Sequence, residues 1–191
     1  VALGLFAVIL TAAVSGVRWA PTVSPSARVV AVMPFSFRGD PDFAYLADGM
    51  VNLLSTNLDH VGELRATDAA AVLAANPDGR ALSPAHASER ALELGAGMFV
   101  LGDIVEVSGR LRVSAALYDA RRPGRAVMRA SAEDDVDKLF ELIDAVTSQL
   151  LAGDRRAPAE RFTRLALLTT HSVPALRSYL IGEKQFRRLY E

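Results

Sequence analysis

The side chains able to do chemistry are few in this chain of 191 residues, and their spacing argues against most reactions. With no cysteine there is no thiolate nucleophile, disulfide, iron–sulfur cluster or Cys-ligated zinc. His60, His86 and His171 lie far apart and lack the i, i+4 arrangement that sets two imidazoles on one helical face. They read as surface or cap residues. No G-x-x-x-x-G-K-[ST] occurs, no G-x-G-x-x-G follows the first strand, and no serine sits in a G-x-S-x-G elbow. No catalytic residue, cofactor or metal is therefore assigned. Asp134, Asp135 and Asp137 lack the glycine-bearing loop of a calcium site and read as helix-dipole partners at the start of a helix. Arg38-Gly39-Asp40, followed by Pro41, is ordinary turn chemistry.

One local concentration of charge remains. Arg110, Arg112, Arg121, Arg122, Arg125 and Arg129 fall within a hairpin and the strand after it, and a meander could gather several at one end of a sheet. They are the candidate contacts for an anion, a lipid headgroup or a protein partner. The competing reading is a solvated rim paired with the acidic run Glu133 to Asp135.

The elements that must position these residues follow from composition and periodicity. Hydrophobic residues make up 51% and charged residues 23%, too apolar for a disordered tail. The net charge is −1, with no polybasic character, so nucleic acid is not an expected partner. That balance conceals three zones. Residues 1–27 carry one charge, Arg18; residues 28–153 carry 12 basic and 18 acidic groups; residues 154–191 carry 8 basic and 4 acidic.

Val1 to Val17 is apolar apart from Thr11 and Ser15, and Arg18 and Trp19 follow at once. The expectation is a single-pass membrane helix over residues 1–19, with Trp19 and Arg18 at the interface. A signal peptide and a buried core helix are the competitors. Pro21, Ser24, Pro25 and Ser26 mark a linker over 20–27. Because the chain opens on Val1 and its last helical pattern runs into Glu191, it reads as a piece of a longer polypeptide.

Arg28 to Phe35 reads as a strand covered on both faces and ended by Pro34. Phe43, Leu46, Ala47, Met50, Leu54, Leu58 and Val61 recur at helical spacing, with Asp48, Asn52, Thr56 and Asp59 opposite them and Gly62 as the stop. A short strand over 64–66 precedes a helix over 68–75 capped by Thr67, and Ser83-Pro84 opens another that Gly95 closes. Met98 to Val107, the Ser108-Gly109 turn, the alternating run after it and the segment after Pro123-Gly124 make a three-stranded meander. Asp134 and Asp135 then open a helix carrying Leu139, Ile143, Val146 and Leu150. The order is β-α-β-α-α-β-β-β-α: a single compact α/β domain over 28–152 with a mixed sheet, whose edge strand runs from Arg125 to Ala132. A linker over 153–172 follows.

Several of these segments match a known pattern. Val29-Val30-Ala31-Val32-Met33-Pro34-Phe35, the Gly39-Asp40-Pro41 turn, Tyr45-Leu46-Ala47-Asp48-Gly49-Met50, Phe99-Val100-Leu101-Gly102-Asp103-Ile104 and Arg112 to Asp119 occur in one order and spacing. Residues 28–152 thereby resemble the TolB amino-terminal-like domain. In bacteria that domain commonly follows a membrane helix in receptor-type serine/threonine kinases, adenylate cyclases and winged-helix regulators, and often precedes tetratricopeptide repeats. Val173 to Glu191, with Leu176, Tyr179, Leu180, Gly182 and Phe186, resembles the first helix of such an array. The resemblance implies a non-catalytic sensor or docking module outside the cytoplasm, anchored in the inner membrane and binding protein, most simply with a kinase domain upstream. An anion- or small-molecule-binding domain, or a structural spacer, of a cyclase or winged-helix regulator is the alternative.

Overall fold

The computed structural model describes residues 25–59, 61–152 and 172–189, the side chains of 187–189 excepted. The expected membrane helix at 1–19, the linkers at 20–27 and 153–172 for all but their last residues, His60 and His171 lie outside the described residues. Among the described residues, no helix is long and apolar enough to cross a membrane.

The elements in chain order are β1 (Ser26–Val32), β2 (Ser36–Arg38), α1 (Leu46–Leu58), β3 (Arg65–Ala66), α2 (Ala69–Ala74), α3 (Pro84–Glu93), β4 (Ala96–Val107), β5 (Arg110–Asp119), β6 (Ala126–Asp135), α4 (Leu139–Leu151) and α5 (Val173–Leu189). They build one six-stranded sheet in the order β3-β1-β4-β5-β6, with β2 also paired to β4. β1 runs parallel to β3 and to β4, while β4, β5 and β6 form an antiparallel meander. The expected order and mixed pairing are therefore present, and β6 is an edge strand, with the two-residue β3 at the other edge.

Pro34 interrupts the first strand rather than ending it. Proline supplies no backbone N–H, so the ladder breaks there, yet the chain stays on course and β2 rejoins the same flank of β4, with Ser36 opposite Asp103 and Arg38 opposite Val105. Phe35, 1% exposed, turns its ring onto β4 at Gly102. A Cβ at Gly102 would come within 2.0 Å of that ring, so the Gly-Asp pair in the middle of β4 has a packing cause.

Two other local expectations change. Thr67 does not cap α2; Asp68 does, its carboxylate accepting from the Ala71 amide at 3.3 Å. Asp134 and Asp135 do not open α4 but end β6, and the 3-10 turn Val136–Lys138 intervenes before Leu139. Strand pairing holds them: Arg110 lies directly across from Asp135. Ser83 does cap α3, and the Ser108-Gly109 turn has both residues at positive φ, 53° and 80°, as a tight two-residue hairpin requires.

Helices cover the sheet unequally. α1 and α4 pack on one face over Val30, Val32, Val100, Ile104, Leu111 and Val113, and Asn57 of α1 donates to Asp144 of α4 at 2.9 Å. α2 and α3 gather against Ala31, Met33 and Phe99 on the other face, where Phe99 and Tyr118 stack at 5.1 Å. The exposed edge of β6 is met by a side chain: Gln149 of α4 accepts from the Ser131 amide at 3.0 Å and donates to its carbonyl at 3.2 Å. That occupies one rung an unpaired edge would offer to another chain.

One buried carboxylate ties two turns together. Glu106, 8% exposed, accepts from the Asp40 amide at 2.9 Å and from the Gly109 amide at 2.8 Å. Gly39, at φ 146°, lies against the same side chain, with room for no Cβ.

Candidate functional site

The first turns of α1 form a seat for α5. Tyr45, Asp48, Gly49 and Asn52 recur at three- and four-residue spacing and so share one face of the helix. Gly49 leaves a gap that Leu180 fills, its Cδ1 standing 2.6 Å from where a Cβ would be. Asp48 takes the Lys184 ammonium at 2.9 Å, and Asn52 donates to Glu183 at 3.1 Å. Arg177 stacks over the Tyr45 ring at 5.8 Å and approaches Asp42 at 3.7 Å. Burial pushes the Tyr45 hydroxyl above its ordinary range, and the nearby Arg177 charge pulls it partway back.

Leu176 and Leu180, 4% and 5% exposed, complete the seat and belong to the main core. Burying each is worth roughly 1.5–3 kcal/mol. Periodicity placed Asp48 and Asn52 on the outer face of α1; that face is covered by α5. The signal was present in the sequence as the Asp48-Gly49 pair, but its partner lies more than 120 residues away, beyond the reach of local periodicity.

Another side of α5 faces outward. Tyr179 and Phe186 are 63% and 61% exposed, and among the described residues nothing lies within 4 Å of the Cβ position of Gly182, between them in sequence. At 100° per residue the three fall within about 60° of one another, and the centre of that stripe lies about 110° round the helix from the Leu176–Leu180 line. An exposed tyrosine with an unobstructed glycine three residues on leaves room for close approach along this side.

The six arginines singled out from the sequence do not converge. Arg110 and Arg112 stand at the hairpin end of β5, Arg121, Arg122 and Arg125 in the loop at its other end, and Arg129 midway along β6. A ten-residue strand separates the first two from the loop, about 30 Å at the usual rise. Arg112 meets Glu133 at 2.6 Å, and Arg110 meets Glu133 at 3.4 Å and Asp135 at 3.3 Å. These bonds, Arg112 first, hold the Glu133 carboxyl below the usual carboxylate range. Arg121, Arg122, Arg125 and Arg129 form no ion pair among the described residues.

The less covered sheet face carries a shallow cleft of about 600 Å³. Its floor is a polar rung across four strands, Ser36, Asp103, Ser114 and Ser131, each directly opposite the next. His86 stands in the cap of α3, its Nδ1 at 3.1 Å from the Ser83 hydroxyl. Among the described residues no three His, Asp or Glu side chains are placed to hold a metal ion.

No family model matches the chain, and no curated protein matches its sequence. Solved structures are similar to it at low identity. Lipoprotein GNA1162 from Neisseria meningitidis is 19% identical with a TM-score of 0.48, over 67% of this chain and 99% of that one. The C-terminal domain of LpoB from Salmonella enterica is 13% identical with a TM-score of 0.43, over 60% and 93%. TolB from Acinetobacter baumannii is 14% identical with a TM-score of 0.42, over 69% of this chain and 30% of that one.

Proposed function

We propose that this chain is a non-catalytic protein-docking module of a membrane-anchored bacterial signalling protein, and that α5 presents its binding face. The observation that carries the reading is the two-sidedness of α5: Leu176 and Leu180 fix one side to α1, while Tyr179 stays exposed on another. The occupant of that stripe is an amphipathic helix, most simply the second helix of a tetratricopeptide-like array that α5 opens. Residues 1–19 serve as the bilayer anchor on this reading, supported by their apolar run and the Arg18-Trp19 flank. The upstream effector is a serine/threonine kinase domain, supported by the resemblance to the TolB amino-terminal-like family alone.

The test is a double substitution, Tyr179→Ser with Phe186→Ser, in the full-length protein. Cooperative unfolding of the α/β domain is expected to stay at the wild-type midpoint while association of the stripe with the helix packed on it, followed by amide exchange in that helix, is lost. Unchanged association would overturn the reading.

A further inference from the structure

The pole of the sheet at which the chain enters combines an arginine loop with an apolar opening. β1 and β4 begin there, β5 ends there, β6 begins there and α4 ends there. The loop Ala120–Arg125 at this pole carries Arg121, Arg122 and Arg125 without ion pairs among the described residues. Its nearby carboxylates are engaged: Asp119 accepts from the Arg121 amide at 2.8 Å, Glu63 meets Arg28 at 3.1 Å, and Glu93 meets Arg90 at 2.9 Å. The opposite pole carries the acidic run Glu133 to Asp135 with Asp137, Asp40 and Glu106, where Arg110, Arg112 and Lys138 are held in ion pairs.

Beside the arginine loop opens a largely apolar cleft of about 490 Å³, lined by Met98, Leu117, Val127, Met128, Leu150 and Leu151, with the Arg28–Glu63 ion pair also on its wall. Register slips in β6 opposite Leu117 and Tyr118, and Val127, at that irregularity, is 59% exposed. Arg121 also donates to the Pro25 carbonyl at 3.3 Å, tying the entering chain to this pole.

We propose that this pole docks on an anionic phospholipid surface, with Arg121, Arg122 and Arg125 on headgroup phosphates and Val127 and Met128 against the acyl boundary. The inference rests on the reading of residues 1–19 as a bilayer anchor. Eight residues, 20–27, separate that segment from Arg28, and covalent geometry limits them to at most about 28 Å. The tether therefore brings the arginine pole, and not the acidic one, toward the membrane. A negative surface potential acts over about a Debye length, ~10 Å, so the arginines add attraction once the tether has made the approach. Three arginines near such a surface favour docking by on the order of a hundredfold over a neutral one. The apolar cleft then adds contact that a peptide-free, purely electrostatic approach does not use.

The absence of cysteine makes the test clean. Val127→Cys and Val107→Cys, each replacing an exposed valine, one at each pole, carry a fluorophore in the full chain inserted into nanodiscs with nitroxide-labelled lipid. In discs of phosphatidylcholine mixed with phosphatidylglycerol, quenching is expected to be several-fold stronger at 127 than at 107. It falls toward the level at 107 in phosphatidylcholine alone, and equally when Arg121, Arg122 and Arg125 are replaced by Glu. Equal quenching at the two poles, or quenching at 127 that ignores lipid charge, overturns the proposal and leaves the anchor standing. A chain that fails to float with vesicles in high salt overturns the anchor, and the proposal with it.

Discussion

Glu106 shows how one side chain governs two turns. Replacing it with Ala removes the acceptor of the part-buried Asp40 and Gly109 amide bonds, and the loss expected is about 1–3 kcal/mol, read as a lower denaturant midpoint at unchanged slope. Glu106→Gln keeps one acceptor and should recover part of that loss. A midpoint unmoved by Glu106→Ala would show that the turns hold themselves. Asp144 makes a prediction of opposite sign. Burial raises its carboxyl above the ordinary range, opposed in part by the Asn57 hydrogen bond, with Glu141 adding repulsion. The folded state therefore holds a proton that the unfolded chain has released, so stability falls as pH rises from the ordinary carboxylate range through the raised one. Asp144→Asn removes that slope: the variant should gain on wild type between pH ~4 and neutrality, and a constant difference across that range would contradict the assignment. At this scale the sequence was legible where a residue's task is local, as with Ser83 capping α3. It was not legible for Glu106, whose amide partners come from turns on either side of a folded sheet.

Elements differ in how much they depend on distant partners. The meander could be read because alternation puts Leu111, Val113 and Ala115 on one face and Arg112, Ser114 and Ala116 on the other, and the Ser108-Gly109 turn fixes the register. The arginine positions follow from the same register, yet their separation by the full length of β5 needs the pairing to be known before it can be seen. Gly102 and Gly49 are steric permissions for Phe35 and Leu180, and neither partner is local. Gly102→Ala should lower stability by about 1–3 kcal/mol or more through displacement of the Phe35 ring, checked by thermal unfolding. Gly49→Val should act on one element instead. It is expected to dislodge α5 and remove amide-exchange protection over residues 173–186 while β4 and β5 keep theirs. Equal loss of protection across sheet and helix would show that α5 is integral to the domain rather than a seated addition.

At the scale of the whole molecule, the described residues form one α/β domain with three exposed features: an arginine pole where the chain enters, a partly open sheet face, and the outward side of α5. Stepwise order, strand polarity and edge position were readable from patterning, because each reflects a period of two or 3.6 residues. The seating of α5 on α1 was not readable, because the segment separating them leaves the approach unspecified by any period. That seating turns a helix expected to belong to the next unit into a bridge, with Leu176 and Leu180 in this domain's core and Tyr179 outside it. The most direct measurement of the docking account is site-specific photocrosslinking in the full-length protein at membrane concentration. A benzophenone at position 179 should join a helical segment, in the same chain or in a partner, identifiable by mass spectrometry, while the same group at the exposed position 107 should not. Equal crosslinking at both positions, or none at 179, would contradict it.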